Sequence, residues 1–98
     1  MPTFIALLNW TDQGVRNYKD TAKRAEAFGA AVQKLGAELV DIYWTVGAYD
    51  LVAVVEAPDD ETATAALLQL GGVGNVRTST LRAFDREEME GIIAKAAG

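Results

Sequence analysis

Glu38 to Ala57 reads ELVDIYWTVGAYDLVAVVEA, two runs rich in Val, Ile, Tyr and Trp on either side of Gly47-Ala48-Tyr49. Branched and aromatic side chains fit a pleated backbone, so Glu38–Val46 and Asp50–Ala57 are expected as strands. A connection this short joins antiparallel neighbours, and Gly47 supplies the positive φ that such a turn requires. The hairpin is the centre from which the rest of the chain is read.

Downstream, Pro58 closes the second run, and Asp59, Asp60 and Glu61 put negative charge and a cap at the start of a helix. Ala63, Ala66, Leu67 and Leu70 form its apolar stripe, and Gly71-Gly72 is expected to stop it. Asn75 to Phe84 (NVRTSTLRAF) is a polar strand, and Asp85 with Glu88 three residues on forms a capping box opening a last helix through Met89, Ile92, Ile93 and Ala96. Upstream, Thr3 to Asn9 (TFIALLN) is a short strand. From Val15 to Leu35 apolar residues recur at steps of three and four. Gly14 and Asp20-Thr21 suggest a short helical turn followed by a main helix from about Thr21, ended by Gly36 in a left-handed C′ position. Lys19, Lys23, Arg24, Glu26 and Lys34 read as its solvated side.

The order β-α-β-β-α-β plus a C-terminal helix is the α+β, ferredoxin-like split βαβ arrangement: one antiparallel four-stranded sheet within a single domain, residues 1–98. Right-handed crossovers place both main helices on one face. The other face should then alternate apolar with polar residues, yet Ile5 and Leu7 interleave with Phe4, Ala6 and Leu8, and Val52 and Val54 with Leu51, Ala53 and Val55. A second copy of the chain is the expected cover, sheet to sheet in a two-fold dimer.

With 98 residues the chain has room for one thin-cored domain. A net charge of −5 repels phosphate backbones and anionic lipid headgroups, which disfavours a nucleic-acid or membrane-surface role. The absence of cysteine removes disulfides and thiolate chemistry, and the absence of histidine removes the usual base near neutral pH and the commonest metal ligand. No cofactor or metal is implied. The apolar stretch Phe4–Leu8 is far short of a membrane span, so a cytoplasmic location is expected.

Two clusters are candidates for ligand binding. In the hairpin, Tyr43, Tyr49 and Asp50 either serve turn and core, with Asp50 bonding its own loop, or line a pocket at the end of the sheet. In the polar strand, Thr78, Thr80 and Arg82 share one side and Arg77 the other. The arginines either fork a carboxylate or phosphate, or pair with Asp41, Asp50 or Glu56 on neighbouring strands. Trp10, beside Asn9, either caps the core with one acceptor for its N–H or forms a flat wall for a planar ligand.

Gly47-Ala48-Tyr49-Asp50-Leu51-Val52, Glu56-Ala57-Pro58-Asp59-Asp60 and Gly74-Asn75-Val76-Arg77-Thr78-Ser79-Thr80-Leu81-Arg82-Ala83-Phe84, with Trp10-Thr11-Asp12-Gln13-Gly14 and Lys19-Asp20-Thr21, closely resemble the GYD-domain family of small bacterial proteins. That resemblance implies a fold of the dimeric α+β barrel or ferredoxin-like type and brings no established catalytic residues with it. The hairpin, the Pro-Asp helix start and the polar strand are also similar to the ligand-binding module of feast/famine-type transcription regulators, which assembles through its sheets and binds amino acids between subunits. No helix-turn-helix accompanies the module here, so direct DNA binding is not expected.

The expectation is a stand-alone, homo-oligomeric ligand-binding or regulatory module, with a site for a small organic or amino-acid ligand at a subunit boundary. The alternative is a small cofactor-independent oxygenase or isomerase, in which Tyr43, Tyr49 or Asp50 moves protons and Arg77 or Arg82 holds an oxyanion.

Overall fold

The computed structural model describes residues 1–98. Its elements are β1 (Thr3–Trp10), α1 (Asp12–Arg16), a 3₁₀ turn (Tyr18–Asp20), α2 (Thr21–Lys34), β2 (Glu38–Trp44), β3 (Leu51–Glu56), α3 (Asp60–Val73), β4 (Val76–Ala83) and α4 (Arg86–Ala96). The four strands form one antiparallel sheet in the order β2-β3-β1-β4, the ferredoxin-like arrangement.

Register sorts side chains between the two faces. Opposite Phe4, Ala6 and Leu8 of β1 stand Val55, Ala53 and Leu51 of β3, and all six are buried beneath α2 and α3. One residue along, Ile5 and Leu7 stand opposite Val54 and Val52 on the second face, where all four are only half-buried. Tyr43 and Leu81 extend that face and are 56% and 50% exposed. No helix is packed as a layer on it.

Local chemistry sets most element ends as expected. Gly36 has φ +84° after α2 and Gly47 has φ +119° in the hairpin. The Asp59 carboxylate accepts from the Thr62 N–H at 2.7 Å to open α3. Asp85 and Glu88 form the reciprocal capping box of α4, at 2.8 and 3.1 Å. The short first helix is capped by the Thr11 hydroxyl, which accepts from the Gly14 N–H at 3.1 Å, so Gly14 lies inside that helix.

The expected stop at Gly71-Gly72 is a correction. α3 runs through both glycines and ends at Gly74, whose φ of +93° is the left-handed cap that a helix terminus calls for. A glycine inside a helix costs about 1 kcal/mol relative to alanine but does not forbid the turn.

α4 buries no residue, and Met89 and Ile93 are 46% and 55% exposed. The chain spans 52 × 31 × 18 Å with a radius of gyration of 14.7 Å, beyond the value of about 13 Å usual for a compact chain of this length. No helix is long and apolar enough to cross a membrane.

Candidate functional site

A cavity of about 390 Å³ lies between the helix layer and one end of the sheet. Leu8, Ile42, Leu51 and Ala53 form its floor, and α2 and α3 form its walls. Its origin is in the sequence: α2 presents Ala25 and Ala31 here, side chains too short to meet Leu70 and Val73 of α3. Toward the other end of the same layer Phe4, Val32 and Val55 close the space into a core with Ala63 and Ala66, and Phe28 stands between this core and the cavity.

The cavity is apolar except at its rim, where Thr21, Arg24, Gln69 and Asn75 supply polar groups. Arg24 donates to the carbonyls of Asn17 at 2.6 Å and Gly14 at 3.1 Å. Both ion pairs of the chain lie elsewhere, Arg82–Glu88 and Arg86–Glu90, so Arg24 has no carboxylate partner. The rim is tied across the molecule. The Thr11 N–H donates to the Asn75 carbonyl at 3.0 Å, the Thr11 hydroxyl to Gly74 at 2.5 Å, and the Gln13 amide to Asn75 Oδ1 at 2.9 Å. Gly14 presses against Asn75 so closely that a Cβ there would fall 2.0 Å from the Asn75 carbonyl oxygen.

The residues singled out from the sequence do not gather in one place. Trp10 lines the cavity, and its indole N–H is buried with no acceptor, contrary to the single partner expected. Thr78 and Thr80 lie on the helix-covered face of β4, with the Thr80 hydroxyl buried and unpartnered near Phe4 and Phe28. Arg82 shares that face, stacks 4.4 Å from the centroid of Phe84 and pairs with Glu88 at 3.6 Å. The expected pairing of Arg82 with Asp41, Asp50 or Glu56 is thus replaced by a contact to α4, and Arg77 is exposed on the opposite face without an ionic partner.

Tyr43 is on that opposite face as well. Its hydroxyl donates to Asp41 at 2.8 Å, and this bond, reinforced by the Asp41 charge, raises the phenol above its ordinary pKa. Asp50 is a tie between strands: its carboxylate accepts from the Trp10 N–H and its own N–H donates to Leu8, both at 2.9 Å. The expected bond from Asp50 to its own loop is made instead by Thr45, whose hydroxyl donates to the Tyr49 carbonyl at 2.5 Å. Tyr49 lies half-buried in that loop. The reading of Arg24 as solvated surface missed a rim residue, and the signal available was its place one position before Ala25, a short side chain in the apolar stripe of α2.

The GYD domain matches residues 4–93. A Thermus thermophilus protein named as a glutamine synthetase and cystathionine beta-lyase binding protein is 38% identical over 85 residues, which cover 86% of this chain and 90% of that one. Among solved structures, that of TTHA0845 from Thermus thermophilus is 30% identical with a TM-score of 0.57, covering 87% of this chain and 95% of the other. MtbAldR shares the fold at 14% identity and a TM-score of 0.60, over 87% of this chain and 54% of its own. A family match along nearly the whole length, with a relative aligned over most of both sequences, makes the chain a member of the GYD domain family.

Proposed function

We propose that this chain is a small regulatory module that self-associates across its uncovered sheet face, docks on partner enzymes and binds a small organic ligand. The observation that carries self-association is the second face of the sheet, where Ile5, Leu7, Val52 and Val54 form an apolar centre with no helix over it. A second copy stacked sheet to sheet in a two-fold arrangement shelters these side chains at the usual spacing of about 10 Å between sheets. The exposed apolar residues of α4, Met89 and Ile93, extend the surface available to the pair.

The enzyme partners are supported by the name of the Thermus relative, which binds glutamine synthetase and cystathionine beta-lyase. Binding is favoured over turnover by where the chemistry sits. Arg24 is the one charged group on the cavity wall, while Tyr43 lies on the far side of the sheet and Asp50 is engaged with Trp10.

Light scattering at micromolar concentration tests the assembly, with twice the 10.5 kDa chain mass expected. Leu7→Asp and Val52→Asp should each give a monomer with unchanged helical circular dichroism, and a monomeric wild type overturns the assembly. Calorimetric titration with glutamine synthetase and cystathionine beta-lyase of the same organism tests docking: saturable heat with either is expected, and none with both defeats it.

A further inference from the structure

We propose that the cavity between α2, α3 and the sheet binds an organic monocarboxylate with an apolar body, and that Arg24 holds the carboxylate at the rim. The site gives the ligand of the regulatory module a chemical class, and it rests on that reading only for its biological meaning.

Size, wall and charge each narrow the ligand. At about 30 Å³ per non-hydrogen group, the share of one water in the liquid, 390 Å³ holds about a dozen groups. Leu8, Ile42, Leu51, Phe28 and Leu70 reward an apolar body and reject a sugar, whose hydroxyls would lose their water partners. Arg24 adds one positive charge with no carboxylate to neutralise it. Two of its N–H groups are held by Asn17 and Gly14, which fixes the guanidinium and leaves three of its five donors for an anion. Next to low-dielectric walls, such a charge-assisted contact is stronger than at open surface. A free amino acid is a poorer fit than a simple acid, because the wall offers its ammonium no carboxylate, only neutral amide and hydroxyl oxygens at the mouth. The Gln69 side chain, which makes no hydrogen bond within the chain, and the Asn75 side-chain N–H groups can serve a second polar atom near the mouth.

The test is an amide-resolved NMR titration of the full chain with indole-3-acetate and its neutral counterpart indole-3-acetamide. The acid should shift residues around Leu8, Phe28 and Ala53 saturably and bind about tenfold or more tighter than the amide, the scale of one charge-assisted hydrogen bond. Arg24→Gln should erase that advantage while leaving amide binding intact, which also shows that the variant is folded. Arg24→Lys should restore part of it, and Ala31→Leu, by filling the space, should weaken both probes about tenfold. Equal affinity for acid and amide in the wild type, an unchanged preference in Arg24→Gln, shifts confined to the uncovered sheet face, or no saturable shift by about 1 mM would each overturn the site. None of these readouts depends on oligomeric state, so a monomer that binds the acid sinks the assembly alone, and a dimer that binds neither probe sinks the site alone.

Discussion

The two ends of the helix layer use the same elements for opposite purposes. At one end Phe28 and Val32 of α2 meet Phe4 and Val55 of the sheet and Ala63 and Ala66 of α3, and Val32 is wholly buried. At the other, Ala25 and Ala31 of α2, on either side of Phe28, line a hollow with Leu70 and Val73 of α3 over the buried floor of Leu8, Leu51 and Ala53. Both ends thus rest on buried residues, but the second keeps a large hollow bounded by a hydrogen-bonded rim. The contrast shows how small residues at inward helix positions open a hollow in a core without any change of backbone.

The largest expected effect is at the closed end. Phe4→Ala should cost about 3–5 kcal/mol in a denaturant melt, whereas Leu8→Ala beside the existing void should cost nearer 2 kcal/mol; equal losses would erase the distinction. Next, Gly14→Ala drives a methyl group into the Asn75 backbone and should cost about 1–3 kcal/mol, with the amide signals of Thr11, Gln13 and Asn75 displaced together.

A smaller, opposite change is expected from Thr80→Val, which removes the unpartnered hydroxyl from the closed end and should stabilise by about 1 kcal/mol. Smallest is a pH effect at the start of α3, on the closed side. Hydrogen bonding from Thr62, by side chain and by backbone N–H, holds Asp59 below the ordinary carboxylate value of 3.8. The folded form thus favours the charged carboxylate, so this contribution is complete above the ordinary value and is lost as pH falls through the lowered one. Asp59→Asn should flatten the acid limb of the stability curve while leaving the cavity end's probe binding at neutral pH unchanged.

What could be read from the sequence was what depends on near neighbours. The hairpin around Gly47, the left-handed Gly36 and the Asp85–Glu88 box each rest on residues within a few positions of one another, and the alternation along β1 and β3 announced a sheet with two apolar faces. The end of α3 was misjudged because Gly71 and Gly72 are weak breakers and the geometry at Gly74 decides the stop. The site residues scattered for another reason: their partners are distant in sequence. Asp50 meets Trp10 forty positions away, and Arg82 is drawn to α4 by Glu88, a pairing no strand pattern contains. Arg24 carries its charge beside an inward face built from Phe28, Val32 and the short Ala25 and Ala31, so its place at a rim emerges only when α2 and α3 are seen side by side.

The clasp from Thr11 and Gln13 to Gly74 and Asn75 joins segments some sixty residues apart. Such far-reaching contacts form late, after the entropy of closing the intervening chain has been overcome. Local opening of either segment would therefore unlatch the mouth of the hollow while the Phe4–Val32 end of the layer stays packed.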